Sequence, residues 1–130
     1  MKLLLDTHVI IWALTDSPRL PLSIRDMIID ENNEIYISTV SLWEIAIKHK
    51  THPDIFGFDA ETIKQYCMRA GYIFLSVNID NISILEKMDL SIHKDPFDQM
   101  LVAQSQSSNM RLLTHDDKLK LFNTGFVEAF

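Results

Sequence analysis

The sequence has little of several features that mark broad classes of protein. Its single cysteine, Cys67, excludes an internal disulfide, so we expect a reducing, cytoplasmic compartment. Its three glycines stand far apart, which excludes a glycine-rich loop around phosphate. No apolar run approaches the roughly 20 residues of a membrane span. Asp6 ends the first such run after three leucines, so we also expect no signal peptide.

Basic residues are scarce as well, because 12 Lys and Arg stand against 18 Asp and Glu, and the net charge is −6. This balance argues against a general, charge-driven attraction to nucleic acid. It leaves room for a nuclease whose acids are neutralised by metal, and for a basic partner. The chain has 130 residues, of which 47% are hydrophobic and 23% charged, and this predicts one globular domain over residues 1–130.

Short apolar runs alternate with longer helical patterns along the chain. The runs predict strands at Lys2–Asp6, Glu34–Ser38, Tyr72–Val77 and Arg111–Thr114, with a short fifth within Gly125–Phe130. The helical patterns cover about 8–15, 24–28, from Thr39 or Ser41 to about 49, 60–70, from Asn78 or Asp80 to about 88, 97–107 and 118–122. Asp59 is expected to cap the helix over 60–70. This alternation predicts an α/β fold with a parallel sheet covered on both faces.

Four carboxylates lie at the edge of an apolar run or inside one: Asp6, Glu44, Asp98 and Asp116. An acid beside buried segments is costly unless its charge is compensated, and a divalent cation is the simplest partner for several such acids. Asp6 and Asp116 follow predicted strands, and parallel sheets bind ligands outside the carboxyl ends of their strands. The pattern therefore predicts a metal-dependent enzyme with its acids at one edge of the sheet.

Asp6 and Glu44 each have a structural interpretation as well. Asp6 can cap the helix that follows it. Glu44 lies in a helix with apolar residues on nearly every side, and it can pair with Lys48 four residues on. Both acids therefore keep two interpretations, as metal ligands and as structural groups.

The two later acids each have an acidic neighbour that competes for the same role. Pro96 restricts Asp95 to extended backbone, which suits an N-cap and leaves Asp98 as the better ligand. Of Asp116 and Asp117, one is expected to cap the next helix while the other faces the site. Asp116 is preferred for the site, with Asp117 as the alternative.

Some other polar side chains have both a functional and a structural interpretation, and the aromatic side chains have a structural one. The hydroxyls of Thr7, Ser38, Ser41 and Thr114 can orient a carboxylate or cap a helix. The five histidines make no zinc pattern, so oxygen-ligated Mg²⁺ or Mn²⁺ is favoured. His8 either positions substrate or packs in its helix, and packing is favoured. The remaining expectations are a core role for Trp12, Trp43, Phe97, Phe122 and Phe126, and a solvated or phosphate-binding role for Lys48, His49, Lys50 and His52.

Four segments resemble the motifs of a known family, in order and at the family's spacing. They are Leu5-Asp6-Thr7-His8-Val9-Ile10-Ile11-Trp12, the segment 38–45 (STVSLWEI), the segment 95–104 (DPFDQMLVAQ) and Leu112-Leu113-Thr114-His115-Asp116. Together they resemble PIN domains, and more narrowly the LDTHxxxW branch of VapC-type toxins. The sequence departs from the family's pattern at Gln99, where arginine is frequent, and at Ser105, where alanine is frequent. Gln99 is expected to remove a phosphate contact near Asp98, and Ser105 to leave the chemistry untouched.

The resemblance implies a three-layer α/β/α fold and an Mg²⁺- or Mn²⁺-dependent endoribonuclease that acts as the toxin of a toxin–antitoxin pair. It implies an RNA substrate, an antitoxin of the Phd/YefM type and a homodimer. By motif position, Asp6, Glu44, Asp98 and Asp116 correspond to the metal-binding, catalytic acids.

Two alternatives come from other classes. A phosphatase or phospho-acceptor would use Asp6 as its nucleophile, but one large phosphatase class needs a second Asp where His8 stands. A non-catalytic binding module would use the acids only as caps and ion pairs.

Overall fold

The computed structural model describes all 130 residues, Met1–Phe130, and strands alternate with helices as the sequence predicts. The strands are β1 (Lys2–Leu5), β2 (Glu34–Ser38), β3 (Ile73–Leu75), β4 (Arg111–Thr114) and β5 (Val127–Ala129). The helices are α1 (Thr7–Leu14), α2 (Leu22–Ile29), α3 (Thr39–Thr51), α4 (Ala60–Arg69), α5 (Ile79–Lys87) and α6 (Pro96–Ser107), and a 3-10 helix spans Asp117–Phe122. None of these helices has the length and apolarity needed to cross a bilayer.

The five strands form one sheet in the order β3-β2-β1-β4-β5, and every neighbouring pair is parallel. The predicted α/β fold with a parallel sheet is therefore confirmed. The chain runs outward from β1 to β3 and then returns to the other side of β1 to form β4. Such a reversal leaves a crevice at the carboxyl ends of the two strands on either side of it, here β1 and β4.

The central strand β1 is buried on both faces, which explains why its sequence is an unbroken apolar run. Successive side chains of a strand point to opposite faces. Leu3 and Leu5 accordingly pack in one core cluster with residues of α1, α2, α3 and α4. Leu4 packs in a second cluster with Leu101 and Val102 of α6. The sheet therefore separates two helical layers, and both layers anchor the strand that leads into Asp6.

Side-chain caps define several helix starts. Ser38 caps α3, Asp59 caps α4, Asn78 caps α5 and Asp95 caps α6, each by accepting a backbone N–H of the first turn. The predicted caps at Asp59 and Asp95 are confirmed. Of Asn78 and Asp80, the two predicted starts of α5, Asn78 is the one that caps the helix. Of the two predicted starts of α3, Thr39 is confirmed, and the Ser38 hydroxyl just before it accepts from the backbone N–H of Val40.

The prediction that Trp43 is a core residue is wrong, since its side chain is 61% exposed. Trp43 and Ile47 lie one turn apart on the outer stripe of α3, and both are exposed. The Trp43 ring instead packs edge-on against Phe97 of α6, with the ring centroids 5.0 Å apart. Apolar residues on nearly every side of α3 predict a mostly buried helix, but its outer stripe at Trp43 and Ile47 is exposed.

The side-chain amide of Gln104 is fully buried in α6, and neither of its polar atoms has a hydrogen-bond partner. An unsatisfied buried polar group costs about 1–3 kcal/mol. We therefore expect Gln104→Met, which keeps the shape and removes the amide, to raise the free energy of unfolding by about 1 kcal/mol in urea titrations. Gln106→Met, at an exposed position of the same helix, is the control and should change stability by less than about 0.5 kcal/mol. A clear loss of stability in Gln104→Met would mean that the amide has partners in solution.

Candidate active site

A cleft of about 410 Å³ lies at the carboxyl edge of the sheet, where β1 and β4 end. It brings together all four acids that the sequence singles out, although they come from widely separated parts of the chain. Its lining consists of Asp6, His8, Trp12, Arg19, Glu44, Lys48, Asp95, Asp98, His115 and Asp116. Asp117 is not part of the lining, so the structure favours Asp116 over Asp117 as the acid that faces the cleft.

Asp6 occupies the N-cap position of α1, but its side chain makes no capping hydrogen bond. Its carboxylate instead accepts a short hydrogen bond of 2.5 Å from the Thr114 hydroxyl, which fixes it across the gap between β1 and β4. Burial raises the pKa of Asp6, and the Thr114 hydrogen bond partly offsets this. The Thr114 hydroxyl, and no capping contact, therefore holds this side chain in the cleft.

Glu44 is almost fully buried, and both of its oxygens have partners. The Thr7 hydroxyl donates to Oε1 at 2.7 Å, and Lys48 Nζ lies 2.5 Å from Oε2. The predicted ion pair with Lys48 is confirmed. Of the two interpretations of Thr7, orienting a carboxylate is confirmed and capping α1 is not, because its hydroxyl points across to α3. Burial lowers the pKa of Lys48, but the hydrogen bond and charge of Glu44 outweigh it and raise that pKa. Glu44 thus contributes its charge to the cleft without offering a free oxygen.

Asp98 lies in the first turn of α6, directly after its cap, and its carboxylate faces the cleft. Burial raises its pKa to about 7, and the negative charge of Asp6 adds to this effect. The nearest compensating group is His93, whose Nε2 lies 2.8 Å from Asp98 Oδ2. The acids of this cleft therefore carry more negative charge than the protein itself neutralises.

The sequence predicts that one of Asp116 and Asp117 caps the next helix and that the other faces the site, but Asp116 does both. Its Oδ1 accepts from the backbone N–H of Lys118 at 3.0 Å and so caps the 3-10 helix. Its Oδ2 lies 3.6 Å from His93 Nε2 on the side of Asp98. The ligand atoms of His93, Asp98 and Asp116 all lie within 4.8 Å of one another, a spacing that one cation can bridge.

The raised pKa of Asp98 predicts how stability depends on pH in the absence of divalent metal. Between about pH 4 and pH 7 the folded protein binds more protons at Asp98 than the unfolded chain does, so its stability falls as pH rises through this window. The contribution of Asp98 is at most about 4 kcal/mol. Urea unfolding in EDTA should show this decline in the wild type and a weaker one in Asp98→Asn. Parallel pH profiles for the two proteins would contradict the assignment.

Three residues in or beside the cleft are not predicted from the sequence. His93, which contacts Asp98, lies in the loop between α5 and α6, and no local signal predicts the path of that loop. Arg19 comes from the segment between α1 and α2, and His115 follows Thr114 at the end of β4. The expectation that His8 packs in its helix is wrong, because its side chain is exposed and lines the cleft.

The basic set after Glu44 divides, and only Lys48 lines the cleft. The His49 ring makes a hydrogen bond to the backbone, because its Nδ1 lies 2.6 Å from the carbonyl oxygen of Phe56. The exposed His52 lies at the end of α3.

Gln99 has a different role from the one that the sequence predicts. Its side chain is buried, and its Nε2 donates to the carbonyl oxygens of His93 at 2.7 Å and Leu90 at 3.3 Å. The side chain does not line the acidic cleft, and the expected loss of a phosphate contact at this position stays a prediction. Gln99 instead fixes the loop that presents His93 to Asp98. Ser105 is buried and donates to the carbonyl of Val102, away from the cleft.

Comparisons with solved structures agree with the fold. The chain resembles a chain in the crystal structure of VapBC2 from Rickettsia felis bound to a DNA fragment from their promoter, with a TM-score of 0.70 and 15% identity over 99% of this chain and 98% of that one. It also resembles a chain of VapBC-1 from nontypeable Haemophilus influenzae, with a TM-score of 0.68 and 18% identity over the same shares, 99% and 98%. At such identities the likeness establishes the fold alone.

No curated protein sequence matches the chain. The family model described as the PIN domain, however, matches residues 3–123, a segment that contains all four acids. The chain therefore belongs to the PIN domain family.

Proposed function

We propose that this protein is a metal-dependent endoribonuclease, a VapC-type toxin of the LDTHxxxW branch that hydrolyses RNA phosphodiester bonds. The observation that supports this most strongly is the convergence of Asp6, Glu44, Asp98 and Asp116 on one cleft at the carboxyl edge of the sheet. Caps and ion pairs do not explain this convergence. Asp6 caps nothing, and the pKa of Asp98 rises to about 7 among its acidic neighbours.

The donor groups of the cleft fit Mg²⁺ or Mn²⁺. Both ions prefer oxygen ligands, and the cluster that one cation can bridge offers the carboxylates of Asp98 and Asp116 with one imidazole, that of His93. We assign direct metal binding to Asp6, Asp98 and Asp116, each of which has a carboxylate oxygen not used by a backbone or hydroxyl donor. Glu44 contributes negative charge from behind, because Thr7 and Lys48 occupy its two oxygens.

The protein's own residues prepare the cleft for a phosphodiester. Thr114 holds Asp6 in one orientation, and Thr7 does the same for Glu44. Lys48 and Arg19 supply positive charge that can contact the oxygens of a phosphate. The bound metal would supply Lewis acidity, activating a water and neutralising charge on the departing oxygen. His93 Nε2 lies beside the carboxylates of both Asp98 and Asp116, and a bound cation would replace these contacts.

A protein partner is part of the proposal. Two solved structures that share this fold are of VapBC2 and VapBC-1, and we propose a cognate antitoxin, of the Phd/YefM type, for this chain. A net charge of −6 and an acidic cleft favour a basic segment of that partner at the site. We further propose that residues 1–130 form a single domain, that the protein forms a homodimer, and that it acts in the cytoplasm.

Induced expression in growing cells tests the proposal. Wild type should arrest growth and produce new ends in total RNA, and Asp6→Asn at equal protein level should do neither. Asp117→Asn is the matched control, because it removes an acid adjacent to the cleft but outside its lining, and it should behave as wild type. No arrest from the wild type would favour a non-catalytic binding module. Arrest from Asp6→Asn would show that toxicity does not depend on the acids.

A further inference from the structure

One part of the cleft lining is aromatic, in contrast to the acids beside it. The ring of Trp12 lies between the imidazoles of His8 and His115, with centroid separations of 5.9 Å and 5.2 Å. The guanidinium carbon of Arg19 lies 5.9 Å from the centroid of the Trp12 ring. We call His8, Trp12, Arg19 and His115 the aromatic wall. All four residues line the same cleft as the acids.

The aromatic wall offers surface to a ligand, because three of its four side chains are exposed. His8, Arg19 and His115 are exposed, whereas Trp12 is only 8% exposed and forms the floor beneath them. The His115 ring is fixed, since its Nδ1 lies 2.9 Å from the carbonyl oxygen of Phe130. Arg19 makes no ion pair, although the cleft that it lines contains five carboxylates. Trp12 belongs to the core, whereas His8, Arg19 and His115 are neither core residues nor hydrogen-bond partners of the acids.

We infer that the aromatic wall is a nucleobase subsite, which holds an unpaired base of the substrate strand beside the acid cluster. Proteins bind single-stranded RNA by stacking its bases on aromatic rings, histidine and the plane of arginine. Stacking requires no net positive charge, so it suits a chain whose overall charge repels RNA. This inference rests on the proposed function and narrows its substrate class, because a base inside a duplex cannot present its face to the wall.

The chain provides its own optical probe of this subsite. It has two tryptophans, and Trp43 lies outside the cleft, so Trp43→Phe leaves Trp12 as the sole tryptophan. Adenosine monophosphate and ribose 5-phosphate can then be compared in the presence of Mg²⁺, since both carry one phosphate and only the first carries a base. We expect the nucleotide to alter Trp12 fluorescence and to bind roughly 5- to 150-fold more tightly than the sugar phosphate.

Substitutions at His115 locate the effect. His115→Ala should bring the two affinities to within a few-fold of each other, while His115→Phe, which keeps a ring to stack on, should preserve most of the preference. His52→Ala removes an exposed histidine outside the cleft and should leave the preference unchanged. Thermal unfolding of each variant shows whether it folds as the parent does.

Three outcomes would overturn the subsite: equal affinity for the two ligands, no binding of the nucleotide with Mg²⁺ present, or a preference that His115→Ala and His115→Phe leave intact. Neither ligand contains a phosphodiester bond, so the measurement does not depend on catalysis. Equal binding of the nucleotide and the sugar phosphate by a protein that cleaves RNA would therefore reject the subsite alone. Tighter binding of the nucleotide by a protein that does not cleave RNA would reject the proposed nuclease activity.

Discussion

Millimolar Mg²⁺ or Mn²⁺ should raise the melting temperature of the wild-type protein by about 10 °C at a concentration near 100 times the dissociation constant. Binding to the folded state alone then contributes about 2.7 kcal/mol, and a chain of this size gains several degrees per kcal/mol. The physical reason is the excess negative charge of the cleft, where burial and the nearby Asp6 raise the pKa of Asp98 to about 7. The positive charge of a bound cation stabilises the ionised carboxylate of Asp98 and so offsets both the burial and the repulsion by Asp6.

Asp98→Asn should differ from the wild type both in its metal-free stability and in its response to metal. Its metal-free melting temperature should exceed that of the wild type, because the substitution removes one of the repelling charges, and most of its response to metal should be lost. Asp117→Asn should respond as the wild type does, since Asp117 lies outside the cleft lining. Potassium chloride at matched ionic strength separates specific binding from screening. An equal metal shift in Asp98→Asn and the wild type would place the metal elsewhere.

Lys48→Met should lower the free energy of unfolding of the metal-free protein by about 2–3 kcal/mol. The substitution keeps the apolar stem of the side chain but leaves the buried Glu44 carboxylate without its cation. Removing one member of a buried ion pair costs about 3–5 kcal/mol, and we expect a loss at or slightly below the bottom of this range because the Lys48 side chain is 33% exposed. Urea titration at neutral pH in EDTA measures the loss.

A double variant separates the ion pair from simple packing. Lys48→Met combined with Glu44→Gln removes both charges and should recover most of the lost stability, since the glutamine can still accept from Thr7. Lys50→Met removes an exposed lysine near the end of the same helix and should be close to neutral. A loss in the double variant as large as the sum of the two single losses would contradict the pairing.

Much of the fold follows from local patterns in the sequence. The unbroken run Leu3–Leu5 predicts a strand buried on both faces, and the structure places it at the centre of the sheet. Asp59 and Asp95 cap the helices that they are predicted to cap, because an acid before a helical pattern acts within one turn of the chain. In the same way, acids that follow parallel strands are brought to one edge by the topology alone.

What the sequence does not predict depends on contacts between distant segments. The Thr7 hydroxyl lies where a cap is expected, yet it donates to Glu44, 37 residues away, because α1 and α3 pack side by side. His93 reaches Asp98 only because the loop before α6 folds back and Gln99 holds it. Trp43 is exposed because α3 contacts the sheet on one side, a fact that its uniformly apolar sequence conceals.

The central claim is that the acid cleft cleaves RNA with the help of a divalent metal, and a cleavage assay with purified protein tests it most directly. Single-stranded RNA should be cut by the wild type and by Asp117→Asn when Mn²⁺ or Mg²⁺ is present. Excess EDTA should stop the reaction, and Asp98→Asn should cleave at least about 100-fold more slowly. Cleavage that persists in EDTA, or that is equally fast in Asp98→Asn, would contradict the account.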